Sequence, residues 1–144
     1  MTDTVSATYA GDIDPRQAWD RLAASANAKL VDVRTQAEWT FVGLPDLGRL
    51  DKQPLLVSWQ VFPAMARNVA FAQQLEAAGV KKGDELFFLC RSGARSRAAA
   101  EFMTGLGYGP CFNIAEGFEG PADDGRHRGA TAGWKADGLA WVQG

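Results

Sequence analysis

Histidine is almost missing from this chain. The single one, His127, sits among glycine and arginine and reads as a solvated loop residue. A metal site therefore has no ligand cluster to draw on. Cysteine is nearly as scarce. Cys90 and Cys111 are too few for a disulfide framework. A reduced, cytoplasmic setting is the default expectation, and it leaves a free thiol for chemistry. No apolar run approaches the roughly 20 residues that span a bilayer. The first residues, MTDTVSATYAGDID, have neither the basic nor the apolar stretch of a secretory signal. A net charge of −2 gives no general attraction to nucleic acid or to an anionic membrane, so neither is expected as a partner and any basic site must be local. There is no internal repeat and no low-complexity tract.

What is present suits one compact domain over 1–144: 144 residues, 47% apolar and 22% charged, enough to build a core. Residues 1–10 are expected to be flexible. Asp14 reads as a helix N-cap with Pro15 at the first helical position, and Trp19, Leu22, Ala23 and Ala26 follow at helical spacing. Lys29–Arg34, Leu55–Trp59, Glu85–Leu89 and Cys111–Ala115 read as short strands. A short helix is expected around Gln36–Trp39. A second, marked by Phe71, Leu75 and Ala78, closes at Gly79, and a third carries Ala99, Phe102, Met103 and Leu106 before Gly107. Strands alternating with helices predict an α/β fold with a central, mostly parallel sheet flanked by helices in three layers. Residues 117–144 read as an extended closing arm that Trp134 and Trp141 pin to the body.

The chemistry concentrates in Glu85–Ala100, ELFFLCRSGARSRAAA. An apolar strand delivers Cys90 to the carboxyl end of a parallel sheet, where such folds bind ligands. Arg91, Ser92, Gly93, Ala94 and Arg95 follow, and then Ser96 opens an alanine-rich helix. Gly93 allows a tight turn whose N–H groups face inward, and the helix N-terminus adds positive potential. Such a cradle favours a thiolate over a thiol and holds the anion that the thiolate attacks. A cysteine after an apolar strand is ordinarily a small buried hydrophobe. Two arginines and a glycine crowding the strand end have no packing reason, and they turn the reading to a reactive Cys90.

Three blocks resemble the rhodanese family. They are Val31-Asp32-Val33-Arg34 with Glu38-Trp39 and Gly43, then Cys90 through Ser96, then Asn113 with Glu116-Gly117-Phe118-Glu119-Gly120. The resemblance implies a parallel sheet flanked by helices, and a cysteine that takes the outer sulfur of thiosulfate as a persulfide and releases sulfite. A thiol or sulfur-carrier protein then accepts that sulfur, and no cofactor is needed. By the same resemblance Cys90 is the nucleophile and the N–H groups of Arg91, Ser92, Gly93, Ala94, Arg95 and Ser96 form the anion cradle. Arg95 matches the loop arginine, and Asp32 and Arg34 brace the loop from beneath. After Gly43 the family pattern is lost, which leaves the pocket wall formed by 44–66 without a template.

Rival readings remain on the residues alone. Cysteine phosphatases and arsenate reductases share related folds, but their loops hold one residue more between cysteine and arginine. A persulfide relay or binding module that never meets thiosulfate fits the same loop. A redox sensor needs a resolving cysteine, and Cys111 begins a strand that reads as core. Gly105–Gly109 follows a helix, so it reads as a C-cap and turn rather than a dinucleotide loop. Trp39, Phe41, Trp59 and Phe62 read as core and loop anchors before pocket lining, and Arg126 and Arg128 as a solvated loop.

Overall fold

The computed structural model describes residues 9–61, 64, 66–120 and 133–142. Five strands form one parallel sheet: β1 (Gly11–Ile13), β2 (Ala28–Asp32), β4 (Leu55–Leu56), β7 (Glu85–Leu89) and β8 (Cys111–Ile114), in the order β1-β8-β7-β2-β4. Strand β7 lies at the centre, and Leu86–Leu89 are wholly buried, as a parallel strand covered on both faces requires. Its side chains alternate. Leu86 and Phe88 face a core with Val31, Phe71, Leu75 and Met103, whereas Phe87 and Leu89 face a core with Leu22, Leu30, Phe118 and Trp134. Helices α3 (Phe71–Ala77) and α4 (Ala94–Gly105) cover the first face. Helix α1 (Pro15–Ala24) and the segment around Trp134 cover the second. The architecture is the α/β three-layer fold read from the sequence.

The local signals account for the helix ends. Asp14 accepts the Gln17 N–H in a reciprocal capping box, with Pro15 just inside. Helix α1 ends at Ser25, so Ala26 lies beyond it. Gly79 and Gly107 follow the C-caps of α3 and α4 with positive φ, as the closing glycines were read.

Five strands were not legible. Strand β1 pairs with β8, although Asp12 and Ile13 read only as a helix approach. Three residues at an edge carry no periodicity, and tertiary pairing alone makes them a strand. β3 (Leu44–Pro45) pairs antiparallel with β9 (Trp141–Val142), and β5 (Gln60–Val61) with β6 (Ala66–Arg67). Strands β2 and β4 are shorter than the runs that suggested them. Their pairing continues, however: the N–H groups of Val57 and Trp59 reach the carbonyls of Asp32 and Val33 at 3.2 and 3.0 Å.

The segment that departs from the family pattern has its own anchor. Lys52 Nζ donates to the carbonyls of Leu22, Ser25 and Ala28 at 2.8, 2.7 and 2.8 Å, capping the end of α1 with a cation. Trp134 is fully buried, and its indole N–H donates to the Ala140 carbonyl at 2.8 Å.

At the carboxyl end of β2, Asp32 and Arg34 are both 0% exposed. Arg34 Nε and Nη2 donate to the two Asp32 carboxylate oxygens at 2.9 and 2.7 Å, and Nη2 also reaches the Gly43 carbonyl at 2.8 Å. The guanidinium lies 4.2 Å from the centroid of the Phe118 ring. Removing one partner of such a pair leaves the other charge buried. Asp32→Asn is expected to destabilise the fold by about 3 kcal/mol or more in urea unfolding, with part regained in the Asp32→Asn/Arg34→Met double variant. A single-variant loss below about 1 kcal/mol would show that the pair does not brace the fold.

Candidate active site

Strand β7 stays apolar through Leu89, and the chain leaves the sheet at Cys90, 1% exposed. The Cys90 Sγ accepts the Gly93 N–H at 3.1 Å and lies 3.2 Å from Ser96 Oγ. Gly93 is the N-cap of α4 with φ 114°, and a side chain on it would run into the Ala115 carbonyl. The carbonyls of Cys90 and Arg91 are already used. Cys90 O accepts the Phe118 N–H at 2.8 Å, and Arg91 O accepts those of Glu119 and Gly120 at 3.0 and 3.2 Å. Gly117 passes so close to the Arg91 carbonyl that a Cβ there would collide with it. The glycine-rich third block is thus the seat of the cysteine loop. With carbonyls turned onto that seat, the positive pole of α4 is left beside the sulfur: Ala94, Arg95 and Ser96 form its first turn, whose N–H groups have no carbonyl within the helix.

The expected site residues therefore come together, in distinct positions. Arg91, Ser92 and Ala94 are exposed at the rim, and Gly93 and Ser96 are buried beside the sulfur. Arg95 does not face solvent alone. Its Nη1 and Nη2 donate to the two Glu38 oxygens at 2.7 and 2.8 Å. Glu38 belongs to α2 (Gln36–Phe41), where it closes a capping box with Thr35. Burial pushes the Glu38 carboxyl up, but the Arg95 guanidinium and the Thr35 backbone and hydroxyl outweigh it and hold Glu38 at about 2. The Glu38 hydrogen bond likewise raises Arg95, with the nearby Cys90 and Asp32 adding to it. Arg97 points away, pairing with Glu101 at 3.6 Å on the exposed side of α4. Asp32 and Arg34 lie beneath the loop, joined to it through Phe118.

Asn113, which opens the third matched block, is a residue whose role the sequence does not show. It is 3% exposed and accepts the Ser96 hydroxyl at 2.5 Å. A polar residue inside the apolar run CFNIA was the available signal. Cys111 behaves as core: it is 1% exposed and pairs with Leu86 in register, at the opposite end of β7 from Cys90, and burial pushes its thiol up. Trp59 packs edge-on against Phe71 and Phe102, a core role, while Phe41 is 75% exposed. Trp39 lines a cleft of about 310 Å³ with Thr35, Gln36 and Ser58. A larger cleft of about 720 Å³ runs along Leu44–Leu56 and contains none of the loop residues. Phe62, Arg126, His127 and Arg128 lie outside the described residues. Among the described residues no cluster of His, Cys, Asp and Glu could hold a metal, and no helix is long and apolar enough to cross a membrane.

The central parallel sheet flanked by helices is a fold shared with a rhodanese-like domain protein. The rhodanese-like domain protein from Staphylococcus aureus superimposes with a TM-score of 0.56 at 18% identity, over 90% of this chain and 96% of that one. The chain belongs to the family described as the STR4 middle domain, whose model matches residues 11–144. The crystal structure of Rv0390 from M. tuberculosis is similar at 46% identity and a TM-score of 0.88, covering 95% of this chain and all of that one, 100%. A protein of Allochromatium vinosum named sulfurtransferase is 28% identical over 131 residues, 91% of this chain and 94% of the relative.

The Arg95–Glu38 pair ties the loop to α2, and its pH dependence follows from the low value of Glu38. A depressed carboxyl contributes stability above its unfolded value, near 4.5, and loses it as pH falls through about 2. Glu38→Gln is expected to cost about 1 to 2 kcal/mol at pH 7. In urea unfolding across pH, the gap from the wild type should shrink below pH 4.5 and close near pH 2. A gap that persists unchanged at pH 2 would refute the charge origin.

Proposed function

We propose that this protein is a sulfurtransferase that carries sulfane sulfur as a persulfide on Cys90. The observation that carries the reading is the position of the Cys90 Sγ: it accepts the Gly93 N–H at 3.1 Å and stands at the N-terminus of α4. The sulfurtransferase name of the Allochromatium vinosum relative and the rhodanese-like fold support it.

Thiosulfate supplies the donor chemistry that fits. The Cys90 thiolate attacks the outer sulfur, a new S–S bond forms, and the donor's S–S bond breaks with its electron pair leaving on sulfite. The sulfonate oxygens meet the N–H groups of Arg91 to Ser96, with Arg95 adding charge nearby. A thiophilic acceptor then attacks the terminal sulfur and restores the thiolate. In the cell that acceptor is a thiol or a sulfur-carrier protein, and cyanide replaces it in an assay. No step calls on a metal or cofactor.

The length of the loop favours this chemistry over phosphoryl or arsenate transfer. Four residues stand between Cys90 and Arg95, one fewer than in phosphatase and arsenate reductase loops, and the smaller ring suits a sulfur atom. Intact mass of the reduced protein before and after thiosulfate tests the reading. The wild type is expected to gain one sulfur that cyanide removes, and Cys90→Ser none. Absence of that gain overturns the thiosulfate step, and turnover of an arylphosphate or of arsenate by the same thiol would replace it.

A further inference from the structure

A chain of side-chain hydrogen bonds runs from the sheet edge to the reactive sulfur. Tyr9 donates its hydroxyl hydrogen to Asp12 Oδ1 at 2.7 Å, and Asn113 Nδ2 donates to the same oxygen at 3.0 Å. Ser96 Oγ lies 2.5 Å from Asn113 Oδ1 and 3.2 Å from Cys90 Sγ. Strands β1 and β8 set the first link in register, with Asp12 opposite Asn113.

The donor inventory fixes the direction of each bond. An ionised aspartate only accepts, so the amide nitrogen of Asn113 must face Asp12 and its carbonyl oxygen must face Ser96. That carbonyl only accepts as well, and so does the Gly93 carbonyl, 3.2 Å from Ser96 Oγ. Ser96 has one hydrogen, and its shortest contact takes it. The Ser96 oxygen therefore turns a lone pair toward Cys90, which suits a thiol that donates S–H. A thiolate or a persulfide anion needs a donor instead. To supply one, the Ser96 hydroxyl must rotate away from Asn113.

We propose that Asp12 is a positioning residue that sets, through Asn113, the direction of the Ser96 hydroxyl and so the readiness of Cys90 to ionise and attack. The inference rests on the reading of Cys90 as the nucleophile. With Asp12 in place, Asn113 competes with the sulfur for the Ser96 hydrogen. Without it, the amide can turn over, donate to Ser96 and release that hydrogen to Cys90. Asp12 is itself exposed on the edge strand, so its replacement leaves the core untouched. Charge and direction can be separated, because both bonds to Asp12 fall on one oxygen. Asparagine can offer a carbonyl oxygen there and keep both.

Alkylation of Cys90 by iodoacetamide at pH 7, followed by peptide mass, reads the effect without any sulfur donor. Asp12→Val, which suits a strand but accepts nothing, is expected to alkylate about three- to tenfold faster, the gain from one hydrogen bond to sulfur. Asp12→Asn is expected to keep the wild-type rate to within about twofold, as the conservative variant should. In a Ser96→Ala background Asp12→Val is expected to change nothing. Three results overturn the proposal: no acceleration in Asp12→Val, equal acceleration in Asp12→Asn, which would be a charge effect, or equal acceleration without the Ser96 hydroxyl, which would be loosening of the loop. If the expected pattern holds while thiosulfate leaves no sulfur on Cys90, the positioning role stands and the thiosulfate step falls.

Discussion

The guanidinium of Arg34 lies in the interior, and its burial organises everything around it. A charge removed from water has to be met by fixed partners. Here they come from separate parts of the chain: the Asp32 carboxylate at the end of β2, the Gly43 carbonyl just after α2, and the face of Phe118 beyond β8. Each partner must be where it is for the charge to be tolerated. Phe118 in turn donates its N–H to the Cys90 carbonyl. The floor of the loop and the salt bridge are therefore one construction. Nη1 of Arg34 has no hydrogen-bond partner among the described residues.

A second attachment comes from the side. Arg95 grips Glu38, and Glu38 in turn caps α2 through Thr35. The loop is thus held beneath by backbone hydrogen bonds and laterally by an ion pair, with its rim at Arg91 and Ser92 left exposed. This division has a chemical consequence. The arginine charge near the sulfur is largely balanced by a carboxylate, so the positive potential there comes chiefly from the N–H groups and the helix N-terminus.

Where the sequence carried periodicity or a cap, the fold was legible. The burial of Leu86–Leu89, the Asp14–Pro15 helix start and the glycines after α3 and α4 each rest on a local physical cause. Strand β1 and the β3–β9 and β5–β6 pairs have no such cause, since two or three residues become a strand only when a partner arrives. At the candidate site, the turn after Cys90 was readable because a glycine just past a core strand marks the chain leaving the sheet. The Glu38–Arg95 and Asn113–Ser96 contacts were not, because they join residues 57 and 17 positions apart. Spacing along the chain says nothing about pairs of that kind. The segment after Gly43 was unreadable for a different reason: it is held by single side chains such as Lys52 rather than by a repeating pattern.

The polar chain from Asp12 to Cys90 explains why a core strand tolerates an asparagine. Asn113 sits in β8 beside the central strand, where an apolar side chain would pack at no desolvation cost. It is kept satisfied by a carboxylate on one side and a hydroxyl on the other, so the strand loses little by holding it. In exchange, the hydroxyl nearest the sulfur has a defined direction instead of a free rotor. A loop of exposed backbone could not set that direction by itself, because Ser96 has three acceptors within reach and one hydrogen. Fixing the choice takes an acceptor whose own orientation is fixed, and the Asp12 oxygen, met by donors from Tyr9 and Asn113, supplies it.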